Sequence, residues 1–246
     1  WLGRQQERTD WATPGPLRRL AAILDHEAPP WRKNELPPLA HWLYHLDEVR
    51  QSELGPDGHA RKGGFFPPIP LSRRMWAGSR VHFLQGVPMG AQMVRQSTLT
   101  KIGTKRGGSG ELTLVTVRHH ILCEDTLAIE EEQDIAYLGG TARPRKRPAT
   151  EMPDAQATRR LLATPELLFR FSALTFNAHR IHYDRDYARN EEHHPGLVVH
   201  GPLLAMLLMD HYLRYHPARR VARFAFRADA PVFEREPIDL SLAPTP

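Results

Sequence analysis

The segment FSALTFNAHRIHYD, Phe171 to Asp184, gathers more chemistry than any other part of this sequence. It holds two histidines three residues apart, an asparagine five residues before the second, an arginine and an aspartate. Imidazole titrates near neutral pH, so His182 can take up a proton and return it within one cycle. The carboxamide of Asn177 offers two donors and an acceptor with which to hold a water or a carbonyl. For a single histidine among 14 the ordinary reading is a hydrogen-bonded structural side chain. The polar neighbours, in a stretch lacking the continuity of a strand or helix, argue for a site.

A second stretch, PGLVVHGPLLAMLLMDHYL from Pro195 to Leu213, reads as an apolar helix opened by His200-Gly201-Pro202. The first amides of a helix lack intrahelical partners and lie at the positive end of its dipole, so they favour negative charge. Pro202 has no N–H, which leaves Gly201 as the main donor. Such a donor suits an oxyanion developing on a polarised carbonyl. Metal chemistry is not expected. His179-x2-His182, His119-His120 and His193-His194 supply ligand types, but no third ligand is suitably spaced, and they read as paired surface histidines. Gly107 to Gly110, GGSG, lacks the strand–loop–helix context of a phosphate loop and reads as a hairpin turn.

Elements must carry these groups. Leu17, Leu20, Ala21 and Leu24 recur at helical spacing after Pro14-Gly15-Pro16, which favours a helix start there. Gln51 to Pro70 is rich in Gly and Pro and reads as a long ordered loop. Strand patterns follow at SRVHFLQGVPMG, AQMVRQSTLTKIGTK, GELTLVTVRHHILCE and LAIEEEQDIAYLG, with short breaks that imply an antiparallel sheet. Thr141 to Asp154 carries four basic residues and three prolines and reads as linker. Beyond it come a short helix or turn at Thr164 to Phe171, a deeply buried helix from Gly201 to about Tyr215, and strands at VARFAFRA and PIDLSLA. Each half is thus expected to be a helix plus an antiparallel sheet, an α+β duplication in architecture.

The composition is that of a globular protein: 246 residues, 41% hydrophobic, 25% charged, net charge +5. The one cysteine, Cys123, lies in an apolar run, so no internal disulfide can form and a reducing, cytoplasmic setting is expected. No apolar run approaches the ~18 residues of a membrane span. RPRKRP and ARR are basic but lack interleaved aromatics, so nucleic acid is not expected as a partner. The start at Trp1 and the stop at Pro246 in mid-strand read as trimmed or disordered ends.

Asn177-x4-His182 followed by HGPLLAMLL resembles the hydratase motif of the MaoC-like hot-dog family, approximately G-D-x-N-P-[IL]-H-x-D, a loop, then V-x-H-G-[ML]. IHYD occupies 181–184 and VHG occupies 199–201. RFSALTFNAHRIHYD, together with RRMWAGSRVHF (73–83) and KIGTKRGGSGELTLVTV, is similar to the double-hot-dog branch that holds itaconyl-CoA (mesaconyl-CoA) hydratases and mitochondrial 3-hydroxyacyl-thioester dehydratases. The resemblance implies a double hot dog, each half a long helix wrapped by a curved antiparallel sheet. It divides the chain into a non-catalytic half at 1–140, a linker at 141–160 and a motif-bearing half at 161–246. It implies reversible water addition to an α,β-unsaturated acyl-CoA thioester, with no cofactor and with a homo-oligomer left open. Itaconyl- or mesaconyl-CoA giving citramalyl-CoA is the expected reaction; the alternatives are a fatty 3-hydroxyacyl-thioester dehydratase and a non-catalytic acyl-CoA-binding protein.

Carried over to this chain, His182 is the expected base, Gly201 the enolate donor and Asn177 the group that orients water. The wider family has aspartate where Asn177 stands, and an amide cannot exchange a catalytic proton. His182 would then act alone, with Asp184 or His179 as a spare acid and Asp184 equally suited to capping a turn. Arg74, Trp76, Lys105, His179, Arg180 and His200 are the expected substrate-binding residues. Lys101, Arg106, Arg219, Arg220 and Arg223 are further basic candidates for the coenzyme A phosphates, and Arg73 and Arg80 further candidates for an acyl carboxylate.

Overall fold

Four long strand-forming segments set the architecture, three of them paired in sequence order. In the computed structural model, which describes residues 1–107, 110–139 and 154–244, β1 (Gln5–Trp11), β2 (Arg73–Phe83), β3 (Gln92–Gly107), β4 (Gly110–Cys123) and β5 (Thr126–Leu138) join β7 (Arg223–Arg227) in one antiparallel sheet. The strand order is β1-β3-β4-β5-β2-β7. Glu124 and Asp125 both take positive φ between β4 and β5, as a two-residue hairpin turn requires. β6 (Ala157–Leu162) and β8 (Pro237–Leu242) form a separate antiparallel pair. The stretch read as linker lies outside the described residues up to 153, and Ala157–Arg160 at its end are the first residues of β6.

The helices are α1 (Pro14–Ile23), α2 (Pro165–Leu174), α3 (Arg185–Asn190) and α4 (Gly201–Tyr215). Leu17, Leu20 and Leu24 are buried, as their spacing predicts. α4 is the central helix: Leu203 and Ala205 are fully buried, and Met206, Leu207, Met209 and Leu213 nearly so. They share one core with α1, with Val81 of β2, Met93 of β3 and Ile121 of β4, and with Ile238 and Leu240 of β8. Asp210 is buried on the same helix and holds three elements together. Its carboxylate accepts from His26 beyond α1 (2.5 Å), Arg159 of β6 (2.9 Å) and Arg214 (2.9 Å). Among the described residues no helix is long and apolar enough to cross a membrane.

β2 joins the two halves, pairing with β5 on one side and β7 on the other. A register shift between Trp76 and Gly78 bends it there. A Cβ on Gly78 would lie 2.4 Å from the Phe226 carbonyl oxygen, so this approach of two backbones requires glycine. Gly78→Ala is expected to cost about 1–3 kcal/mol by overpacking the ladder. Urea unfolding measures it, and an unchanged midpoint would show that β2 and β7 tolerate separation.

Candidate active site

The first chemical segment starts where α2 stops. Thr164 caps the N-terminus of α2 by accepting from the Leu167 amide, with Pro165 at the first helical position. At the other end Phe176 takes a left-handed φ of 51° with 61% of its surface exposed, a costly conformation for an aromatic residue. The chain is held there by local bonds: the Asn177 amide donates to the Ser172 carbonyl (2.9 Å), and the Asn177 side-chain oxygen accepts from the His179 amide (2.9 Å). A 3₁₀ turn at Arg180–His182 follows. Asp184 then caps α3, one oxygen accepting from the Tyr187 amide (3.0 Å) and the other from the Arg180 guanidinium (2.7 Å). Of its two suggested roles, capping is the one its contacts fill.

His182 is buried, and its Nδ1 lies 2.7 Å from the carbonyl oxygen of Val198. A carbonyl only accepts, so Nδ1 carries the hydrogen. In the neutral ring Nε2 therefore keeps its lone pair, the form a general base needs. Burial, then the neighbouring His200 and His179, push His182 well below the usual imidazole range, so the ring is neutral at pH 7. The ring stacks on His200, with centroids 3.6 Å apart and planes 18° from parallel. His200 is the residue immediately before α4, its Nε2 is 2.8 Å from the Ser172 hydroxyl, and burial lowers it to about 3. His182 therefore lies against the start of α4. Gly201, the first residue of that helix, is half-buried, and a Cβ there would meet the Trp76 ring at 2.7 Å. Trp76 stacks on Phe226 (5.2 Å) and meets Trp42 edge-on (5.3 Å). It thus packs against the backbone at the helix start.

The loop after the 3₁₀ turn at Gln51–Glu53 docks on the motif. The Arg180 amide donates to the Asp57 carbonyl (2.9 Å), and the Arg180 side chain donates to the Pro56 carbonyl (3.0 Å). Gly58 takes φ +87°, and a Cβ there would lie 1.8 Å from the Ala178 oxygen. This contact brings in His59, whose ring lies 4.0 Å from that of His179; His179 in turn meets His182 edge-on at 5.4 Å. Each outer histidine has a carboxylate: Asp57 is 3.0 Å from His59 Nδ1, and Glu192 is 3.2 Å from His179 Nε2. Burial opposes charge on both acids. Hydrogen bonds and the positive field of His59 outweigh it at Asp57, as those of His179 and His194 do at Glu192, and both fall to about 2. Burial, against the pull of Asp57, lowers His59 to about 3.

The remaining expected residues separate. Arg180 is occupied by Asp184 and lies over the Tyr187 ring (4.2 Å). Arg74 lines a cavity of about 250 Å³ with Asp57, His59 and Lys62. Lys105 is exposed and pairs with Leu112, which pairs with Leu138, which pairs with Arg73. That places it three strands from β2, roughly 14 Å at ~4.8 Å per strand. Arg219 and Arg220 line a different cavity of about 280 Å³ beside Trp31 and Phe83. The reading of the histidine pairs as surface pairs is corrected, because His119, His179, His182 and His194 are all buried. Each has a short-range partner: Ser97 for His119 (2.8 Å) and Glu192 for His194 (3.6 Å), besides those given above. Asp57, His59 and His179 present ligand atoms within 4.8 Å of one another, a set that linear spacing hides. Asp57, His59, Ser172, Glu192 and the Val198 carbonyl were all missed from sequence; only DGH within the Gly/Pro-rich loop hinted at the first two.

The family model for hydroxyacyl-thioester dehydratase type 2 matches residues 39–234. The chain belongs to this family. It is 45% identical, over 99% of its length and 88% of the relative's, to the mesaconyl-C(4)-CoA hydratase of Chloroflexus aurantiacus. It is 27% identical, over 96% and 89%, to the mitochondrial hydroxyacyl-thioester dehydratase type 2 of Schizosaccharomyces pombe. Among solved structures it superposes on a MaoC-like dehydratase with a TM-score of 0.70 at 13% identity, covering 97% of this chain and 86% of that one. A Mycobacterium tuberculosis protein with a double hotdog fold matches with a TM-score of 0.59 at 14% identity, over 96% and 82%. The fold is the double hot dog, and the expected α+β class and family are both met.

The buried rings make stability depend on pH. An unfolded histidine takes up a proton below about 6.5, whereas His200 resists until about 3. Stability is therefore lost as pH falls through this window, about 2 kcal/mol from His200 between pH 7 and pH 5. His200→Gln, which cannot titrate, is expected to lose less over the same interval. Urea unfolding of both proteins at the two pH values is the check, and equal losses would remove His200 from the effect.

Proposed function

We infer that this chain is a hydro-lyase that adds water reversibly across an α,β-unsaturated acyl-CoA thioester, with mesaconyl- or itaconyl-CoA giving citramalyl-CoA as the reaction. The observation that carries it is His182, with Nδ1 bonded to Val198 and its ring stacked on the residue that precedes Gly201. The likeness to a mesaconyl-C(4)-CoA hydratase along nearly the whole chain supports the substrate. In this reading 161–246 carries the motif, while 1–140 has no motif of its own but supplies the docked 56–62 loop and Trp76.

In the reaction the water oxygen attacks the β-carbon as His182 Nε2 takes one of its protons. The electron pair of the double bond moves to the thioester oxygen, where the Gly201 N–H and the start of α4 hold the charge. Because burial makes the imidazolium a stronger acid than usual, it readily returns the proton to the α-carbon. One water is added and the ring ends neutral. Asn177 keeps its oxygen in the loop bond to His179 and has its NH₂ to orient the water.

A second reading, dehydration of fatty 3-hydroxyacyl thioesters, is favoured by the family match and by the Schizosaccharomyces pombe relative. Water addition to mesaconyl-, itaconyl-, crotonyl- and a long-chain enoyl-CoA separates the two, with the dicarboxylic esters expected to react fastest. His182→Ala should lower kcat by about 10²–10⁴ on the preferred ester. Near-normal turnover would remove His182 as the base.

A further inference from the structure

Arg74 lies two residues from Trp76, so the two share one face of β2. Trp76 touches Gly201, which puts Arg74 on the active-site side of the sheet. His59, which lines the same cavity, lies against His179 of the motif. Three cations, Arg61, Lys62 and Arg74, surround this space with one carboxylate, Asp57. Asp57 is already bonded to the His59 ring and amide (both 3.0 Å).

The other candidate arginines are spent. Arg180 pairs with Asp184, Arg80 with Glu132 and Asp134, and Arg73 also has a partner. Among the described residues no carboxylate forms an ion pair with Arg74, and Asp57, the one acid in the cavity, is paired with His59. Its guanidinium lies 5.9 Å over the Phe66 ring and beside the Tyr137 hydroxyl. Lys62 is pinned nearby by the Ile69 carbonyl (3.0 Å) and the Leu71 carbonyl. Two like charges fixed beside one cavity repel until an anion enters between them.

We propose that this cavity is a carboxylate subsite, in which Arg74, backed by Lys62, receives the second acid group of a dicarboxylic acyl chain. The planar guanidinium matches a carboxylate with two parallel hydrogen bonds. The subsite would make the enzyme selective for dicarboxylic over simple enoyl esters. The proposal rests on the hydratase reading for what the carboxylate is attached to, and on the cavity alone for the charge it takes.

The test uses Arg74→Met and two arms. In the first, kcat/KM is measured for mesaconyl-CoA and crotonyl-CoA, and their ratio is expected to fall 10–100-fold, the size of a lost hydrogen bond to a charged group. An unchanged ratio, including an equal loss on both esters as for a phosphate contact to coenzyme A, overturns the proposal. The second arm applies if the wild type hydrates neither ester, so that the hydratase reading fails by itself. Free mesaconate is then expected to raise the wild-type Tm more than crotonate does, and Arg74→Met to abolish that difference. No such difference in the wild type overturns the subsite as well.

Discussion

The hydrogen bond from His182 Nδ1 to the Val198 carbonyl is the constraint on which the chemistry depends. It fixes one tautomer of a buried ring and so decides which nitrogen can accept a proton. Val198 is tied in turn: its amide donates to the Ile181 carbonyl (2.9 Å), so the two segments are bonded in both directions within two residues of each other. Two residues beyond Val198 the His200 ring stacks on His182, and the next residue starts α4. An imidazole and a helix N-terminus 19 positions apart in sequence become neighbours through backbone bonds that do not depend on a ligand.

Around that contact the protein uses buried carboxylates to fasten parts that hydrophobic packing alone would leave free to slide. Asp210 ties α4 to β6 and to the chain after α1. Glu131 on β5, nearly inaccessible, accepts from His41 (2.9 Å), Trp42 (3.0 Å), Ser79 (2.5 Å) and Gln133 (3.0 Å). Burial works against its charge, but those donors win and hold it to about 2. A buried carboxylate is tolerable only when so satisfied. The Glu131 network reaches the site by contact, because Trp42 meets Trp76 and Trp76 packs on Gly201. Glu131, Trp42 and Trp76 thereby set the room available at the start of α4.

The asparagine in the place of aspartate has a structural account. Its oxygen closes a turn against the His179 amide, an acceptor role that amide and carboxylate fill equally well. What an amide lacks is proton exchange. The structure brings titratable groups to the same turn, namely the His179–Glu192 pair and, through the bond from the Arg180 amide to the Asp57 carbonyl, the Asp57–His59 pair on the docked loop. The titratable side chains around the turn therefore come from segments far apart in the chain.

Local pattern determined much of this. The alternation in β3 to β5, the proline-opened α1 and the bounds of α4 follow from periodicity and helix-start chemistry, which act between residues close in sequence, whereas β2 runs Arg73–Phe83 and not over 79–90 as expected. The pairing of His182 with the start of α4 was legible through the resemblance of the two stretches to the hydratase motif. Other features depended on distant contacts. The 56–62 loop reads only as Gly/Pro-rich chain, and nothing in it announces that Gly58 would meet the Ala178 oxygen or that His59 would face His179. The choice among four arginines, Arg73, Arg74, Arg80 and Arg180, was equally closed to sequence, since whether a guanidinium is neutralised depends on which carboxylates the fold brings to it. Sequence alone determined β3 to β5, α1, α4 and the candidate residue types, because those follow from short-range sterics and side-chain chemistry, while β1 and β6 went unread. Only the tertiary structure decided the tautomer, the buried charges and the outer wall of the site, because each is set by groups more than ten residues apart along the chain.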